Sequence, residues 1–320
     1  MEYPNQFYEI VDAIKSMKIR GAALIGRKAA EALKIVSEYI SVKSPDEFIK
    51  EIEKAARVLI KTRPTAVSLP NAIRYVYVRL RKGYESGKDV DELKTLLSSA
   101  VDEFIEKSLN AIDRIGEIGA KRIEDGDVIL THCNSQAAIS ILLHASKTGK
   151  KIKVFVTETR PRRQGLLTAD QLSKAKIPTT LIVDSAVRFF MPKIDKVVVG
   201  ADAIAANGAV VNKIGTSTIA LAAHEARVRF YVAAETYKFS PETFLGELVE
   251  IEERSPEEIV PRSWLKKHPN VFVRNPAFDV TPPEYIDLII TEVGIVSPQS
   301  FFLLVKELFG WAFGVREPWL

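Results

Sequence analysis

From Glu124 onward, short apolar runs of strand length alternate with segments of helical spacing, and no other feature constrains the fold as strongly. Residues 128–131, 154–157, 180–183, 196–199 and 229–232 read as five strands, rich in Val, Ile, Phe and Thr. Helical pieces fall near 136–146, 168–174, 185–190 and 215–226. Parallel neighbours need a crossover long enough to hold a helix, so this alternation predicts a parallel sheet covered on both faces. The strands are almost continuously apolar, as double burial requires.

The first 120 residues follow a different period. Phe7, Ile10, Val11 and Ile14 fall on one helical face, and apolar residues recur at three and four over 22–40. Phe48, Ile49, Ile52, Ala55, Ala56 and Leu59 repeat the pattern, and Leu93, Leu97, Val101, Phe104 and Ile105 stripe a long helix over 90–123. Gly21, Pro64, Pro70 and Gly83 punctuate these segments. The expected class is α/β: a helical N-terminal domain over 1–120, then a Rossmann-like, mostly parallel sheet domain over 121–320.

Composition narrows the function classes. With 47% hydrophobic and 27% charged residues the chain is globular in character. A net charge of +4 offers no sequence-wide field for nucleic acid, so no nucleic-acid partner is expected. No run reaches the ~18 apolar residues of a membrane span, and the start, residues 1–7, is polar, without the pattern of a secretory leader. The single cysteine excludes an intramolecular disulfide framework and a Cys-based zinc site, and it fits a reducing, cytoplasmic setting. His144, His224 and His268 lack metal-ligand spacing, so no metal is expected. Neither a G-x-G-x-x-G after a strand nor a P-loop occurs, which disfavours nicotinamide and P-loop chemistry.

In open α/β sheets, ligands sit outside the carboxyl ends of the strands. Four such ends carry reactive or polar groups: Thr131-His132-Cys133-Asn134-Ser135, Glu158-Thr159-Arg160-Pro161, Asp184, and Gly200-Ala201-Asp202. Cys133, between a strand end and a helix start, is expected to gain thiolate character from the free N–H groups there. The alternative is an inert buried cysteine. Asp202, after a buried strand, is costly unless paired or used, and the alternative is a turn or helix cap. His132 should point to the other face of its strand. Arg20-Gly21-Ala22, Arg63-Pro64-Thr65 and Arg160-Pro161-Arg162-Arg163-Gln164-Gly165 join arginines to helix starts, the ingredients of a phosphate site. Asn212-Lys213-Ile214-Gly215-Thr216-Ser217 adds an amide, an ammonium and a further helix start, a candidate oxyanion cradle.

Taken in order with Asn207-Gly208 and Phe278-Asp279-Val280-Thr281-Pro282-Pro283, these pieces resemble a superfamily. It joins aldose-phosphate isomerases to the regulatory subunits of the eukaryotic translation-initiation guanine-nucleotide exchange factor. The resemblance spans most of the chain. The segment after the cysteine loop, 139–151, lacks the Gly-Thr-Ala-Leu-Gly-like stretch of the methylthioribose-1-phosphate isomerases, and Ala234-Glu235-Thr236-Tyr237-Lys238-Phe239 looks more like the exchange-factor subunits. Those subunits generally lack the Cys and Asp pair, whereas Cys133 and Asp202 are both present here.

The resemblance therefore implies an active enzyme of the compact archaeal branch, converting ribose 1,5-bisphosphate to ribulose 1,5-bisphosphate in AMP degradation. The alternatives are a methylthioribose-1-phosphate isomerase and a non-catalytic, nucleotide-sensing regulatory subunit. It further implies that Cys133 and Asp202 are the catalytic proton-transfer pair, without cofactor or metal. Arg20, Gly21, Ala22, Arg63, Gln164 and Lys213 are implied to surround the sugar bisphosphate. Asn212 is implied to meet sugar hydroxyls, and Arg160 a second phosphate. AMP as activator and a homohexamer are implied as well.

Overall fold

The computed structural model describes residues 2–19, 21–63, 67–246 and 248–309. The chain divides into two compact units, Met1–Asn110 with the chain from Leu303 on, and Ala111–Phe302. The domain boundary expected from the sequence, 120/121, coincides with the end of the long helix, which runs over Val90–Ala120. The division falls instead inside that helix, because its last ten residues pack with the sheet: Ile115 and Ala120 join the core of the second unit.

The first unit is helical, with α1 (Asn5–Lys15), α2 (Ala22–Tyr39), α3 (Pro45–Ile60), α4 (Ser68–Glu85) and the start of α5 (Val90–Ala120). The apolar spacing is what these helices bury. Phe7 and Ile14 of α1, the six-residue stripe of α3, and Leu93, Leu97, Val101 and Phe104 of α5 are all buried. α3 begins with Pro45 at its first turn beside Asp46 and Glu47 and ends near Arg57, the polarity that suits a helix dipole.

The second unit alternates strands and helices: β1 (Val128–Thr131), α6 (Gln136–Lys147), β2 (Lys153–Thr157), α7 (Gly165–Lys174), β3 (Thr179–Ile182), α8 (Val187–Phe190) and β4 (Lys196–Gly200). There follow β5 (Ala203–Ile204), β6 (Val210–Lys213), α9 (Thr216–Ala226), β7 (Arg229–Ala233), α10 (Arg262–Lys267), β8 (Phe278–Thr281), β9 (Leu288–Thr291) and β10 (Gly294–Val296); α11 (Phe301–Phe309) starts at the end of this unit and from Leu303 on belongs to the first. The main sheet has seven strands in the order β10-β9-β7-β4-β1-β2-β3, parallel except for β10. All five expected strands are present within a residue of their expected ends.

Two additions were not expected. The hairpin β9–β10 extends the sheet beyond β7, and β5, β6 and β8 form a separate three-stranded antiparallel sheet. Both are built from strands of two to four residues, too short for periodicity to carry much signal.

From β1 the chain adds β2 and β3 on one side, then crosses to place β4 on the other. This reversal of winding is the topological switch point of the sheet. The two connections leave in opposite directions there and open a crevice at the carboxyl ends of β1 and β4. No helix of the described residues is long and apolar enough to cross a membrane.

Candidate active site

Cys133 follows β1 and Asp202 follows β4, so the two lie on adjacent strand ends at the switch point. Ser135 caps α6, its hydroxyl accepting from the Ala138 N–H at 3.3 Å. A Cβ on Gly200 would lie 2.3 Å from the Ser135 hydroxyl, so only glycine lets the β1 loop close against the end of β4. The Asp202 N–H donates to the Val211 carbonyl at 2.8 Å, which draws β6, and with it Asn212 and Lys213, to the same end of the sheet.

Behind Cys133 runs a buried hydrogen-bond chain. The His132 Nε2 lies 2.9 Å from the Ile214 carbonyl, which can only accept, so this nitrogen carries the proton. His132 Nδ1 then accepts from the Thr157 hydroxyl at 2.6 Å. Burial holds His132 down to about pKa 4, so the ring is neutral at physiological pH. It braces β1, β2 and the β6–α9 turn and is buried. Gly215, at φ 103°, would place a Cβ 3.3 Å from this ring, and its left-handed conformation suits glycine.

The electrostatics of the crevice centre on a thiol and an ammonium. Cys133 is half-buried as a residue, and its thiol lies deep enough that desolvation pushes it up to about 11. Lys213, the Asn134 N–H and Arg254 pull it down, while Asp202 pushes it up. The expected thiolate is thus not the resting form. α6 starts two residues beyond Asn134, with Ser135 as its cap, so the helix end does not outweigh burial at the sulfur. Lys213 is only 7% exposed, and burial holds it below the ordinary lysine range. Its Nζ sits 4.8 Å over the Phe278 ring, and among the described residues no carboxylate lies within ion-pair distance of it. A buried ammonium in such surroundings favours an incoming anion.

The other expected residues fall in different places. Asn212 is buried, and its amide donates to the Thr216 hydroxyl at 3.0 Å. The start of α9 is not a vacant cradle. The Asp279 carboxylate, on β8, accepts from the Gly215 N–H at 2.7 Å and the Ser217 N–H at 3.1 Å, and burial nevertheless raises it to about 6. An anion meeting Lys213 must therefore approach the side chain, not the helix end. Arg160 is exposed, its backbone N–H donating to Asp184 at 2.7 Å and its guanidinium, among the described residues, reaching the Pro161 carbonyl at 3.5 Å. Gln164 is half-buried where α7 begins. In the first unit, Gly21 (φ 88°) caps α2, Ala22 is its first residue, and Arg63 follows α3. Arg20, Pro64 and Thr65 lie outside the described residues.

The sequence reading missed Arg254, which acts electrostatically on both Cys133 and Lys213 and pairs with Glu252 at 3.2 Å. It arrives through a ladder invisible in the sequence. The Arg254 N–H donates to the Asn275 carbonyl, the Ala277 N–H to the Glu252 carbonyl, and the Ile214 N–H to the Ala277 carbonyl. The segment has no period, and no local signal marks it. Asp113, Glu117 and His144 also converge, on α5 and α6, but Asp113 and Glu117 are exposed, and His144 bonds the Ser140 carbonyl at 2.9 Å.

Comparison with known proteins places this geometry in context. Residues 18–298 match the model of the initiation factor 2 subunit family. The ribose 1,5-bisphosphate isomerase of Pyrococcus furiosus is 57% identical over 98% of each chain. Among solved structures, the Pyrococcus horikoshii translation initiation factor eIF-2B superposes with TM-score 0.78 at 35% identity, covering 92% of this chain and 98% of that one. The 5-methylthioribose 1-phosphate isomerase of Pyrococcus horikoshii superposes with TM-score 0.74 at 35% identity, covering 95% and 88%. The matched family model spans α2 to α10, the switch point and the Lys213 strand alike, and the chain belongs to the initiation factor 2 subunit family.

Proposed function

We propose that this chain is a sugar-phosphate aldose–ketose isomerase that converts ribose 1,5-bisphosphate to ribulose 1,5-bisphosphate, feeding on the products of AMP degradation. The observation that carries the reading is the convergence of Cys133, Asp202 and the buried Lys213 ammonium at the switch point, in a chain 57% identical to a ribose 1,5-bisphosphate isomerase.

The reaction needs an acid at the ring oxygen and a base at C2. Asp202, as a carboxylic acid, gives its proton to the ring oxygen while the C1–O bond breaks. Cys133, as thiolate, takes the proton from C2, and a C1=C2 enol forms. The thiol then returns that proton to C1, and the C2 hydroxyl gives its own to Asp202, restoring both groups and leaving the ketone. Each such group contributes roughly 10²- to 10⁴-fold. Because the resting thiol is neutral, ionisation is the step that the cations must assist. Lys213 and Arg254 both favour the thiolate. No metal and no nicotinamide enters this scheme.

Arg20, Gly21, Ala22, Arg63, Gln164 and Lys213 are assigned to the sugar bisphosphate as substrate-binding residues, Arg160 to a second phosphate contact, and Asn212 to the sugar hydroxyls. AMP is the proposed activator, a homohexamer the proposed assembly, and the cytoplasm the proposed location. The test is a steady-state assay with ribose 1,5-bisphosphate, with and without AMP, beside methylthioribose 1-phosphate. Turnover of the bisphosphate, accelerated by AMP, is expected. Preference for methylthioribose 1-phosphate moves the chain to the neighbouring branch, and no turnover of either leaves a regulatory subunit.

A further inference from the structure

Cys133 has φ 65° and Thr159 has φ 62°, so two non-glycine residues face each other in the left-handed region at the ends of paired strands β1 and β2. For a β-branched residue such a conformation is an outlier and persists only where its surroundings impose it. Here they do. The Thr159 N–H and the Arg160 N–H donate to the two oxygens of Asp184, at 2.8 and 2.7 Å, just beyond β3. Thr159 is 0% exposed, and its hydroxyl accepts from the Cys133 N–H at 2.9 Å. On the other side of the cysteine, the buried Thr168 hydroxyl of α7 donates to the Cys133 carbonyl at 2.6 Å and accepts from the Asn134 amide at 3.0 Å. Both backbone groups of Cys133 are thus held by threonine hydroxyls from different elements. The direction of its Cα–Cβ bond is set from outside its own loop.

We propose that Thr159 and Thr168 are positioning residues that clamp Cys133 at its N–H and its carbonyl, with Asp184 holding Thr159 in the conformation the clamp needs. The inference rests on the reading of Cys133 as the proton-transferring group. A base has to sit within hydrogen-bond reach of the proton it takes, and a displacement of about 1 Å costs about 10²-fold. Neither threonine touches the reacting atoms, so the effect passes entirely through the cysteine.

Cys133 is the one cysteine of the chain, so its alkylation by iodoacetamide reports on that thiol alone and needs no substrate. Parent, Thr159→Val, Thr159→Ser, Thr168→Val and Thr168→Ser are compared by kcat and KM with ribose 1,5-bisphosphate, by alkylation rate at fixed pH, and by melting temperature. Each Val variant keeps the shape and loses the hydroxyl. It is expected to lower kcat roughly 10- to 100-fold with KM within about twofold, and to change the alkylation rate at least about threefold. Each Ser variant is expected to recover both readouts to within about threefold of the parent. If kcat and alkylation in the Val variants both stay within about twofold of the parent, the clamp is overturned. It is overturned equally if activity falls only in step with the folded fraction while alkylation is unchanged. Should Thr159→Val fail to fold, Asp184→Asn carries the same expectation and the same overturning result. A parent that alkylates as expected but does not turn over the bisphosphate refutes the proposed reaction, and the alkylation comparison still decides the clamp.

Discussion

At Cys133 the decisive quantity is the proton on sulfur. Burial raises the folded-state pKa to about 11, above the ~8.5 of a free thiol. The linkage sign follows. Below about pH 8.5 the thiol is neutral in both states and the stabilisation is complete; between about 8.5 and 11 the unfolded chain ionises first, so stability falls as pH rises. Melting curves from pH 7.5 to 10.5 should show a steeper loss for the parent than for Cys133→Ser, and parallel curves would remove the buried-thiol account. In kinetics, Cys133→Ser should keep KM and lose most of kcat, because a hydroxyl is nearly isosteric and a far poorer base. Asp202→Asn should be folded, bind substrate and lose at least about 10²-fold in kcat, because an amide keeps the shape but cannot give up and recover a carboxylic proton. Activity within a few-fold of the parent would reduce Asp202 to a cap.

At the scale of elements, the site depends on loops closing tightly over neighbouring strand ends. Gly200→Ala tests this. Its new Cβ would meet the Ser135 hydroxyl at 2.3 Å and the Ser135 Cβ at 2.5 Å, so the β1 loop has to move or the α6 cap has to open. Losing a serine cap costs about 1 kcal/mol, and overpacking costs about 1–3 kcal/mol. The variant should melt several degrees below the parent and lose kcat as well, since Ser135 is two residues from Cys133. An unchanged melting temperature in a scanning calorimeter would show that the loop has slack that the packing does not indicate.

At the scale of the whole molecule, charge is the expected selector of substrate. The crevice of the second unit carries Lys213 and Arg254 in buried surroundings, and a bisphosphate brings the anions such cations favour. Ribose 1,5-bisphosphate should exceed ribose 1-phosphate in kcat/KM by orders of magnitude, because a site built around a charged group penalises the analogue that lacks it. Lys213→Met should lower kcat/KM for the bisphosphate about 10²-fold or more, an expected loss of at least ~2.7 kcal/mol in transition-state stabilisation. Arg254→Gln should act in the same direction and more weakly, because Glu252 already partners it. If Lys213→Met leaves the ratio of the two substrates unchanged, the ammonium does not read the anion.

The layered fold and the candidate site at the strand ends were legible in the sequence, because each rests on a local signal. Apolar period separates the helices α1, α2, α3 and α5 from the strands β1 to β4 and β7, and β1 to β4 lead into His132-Cys133, Thr159-Arg160, Asp184 and Asp202. Strand ends in an α/β sheet are where ligands bind, so Cys133 and Asp202 could be singled out before any coordinates. What only the tertiary structure decided depends on partners distant in sequence. The strand order that makes β1 and β4 neighbours put Cys133 and Asp202 side by side. The β8 strand put Asp279 on the start of α9 and so closed an expected cradle, and the 252–254 segment carried Arg254 to the thiol. The state of the thiol was settled the same way. A helix end nearby is readable in a sequence, but desolvation by the whole surrounding unit is not, and desolvation is the larger effect at this sulfur.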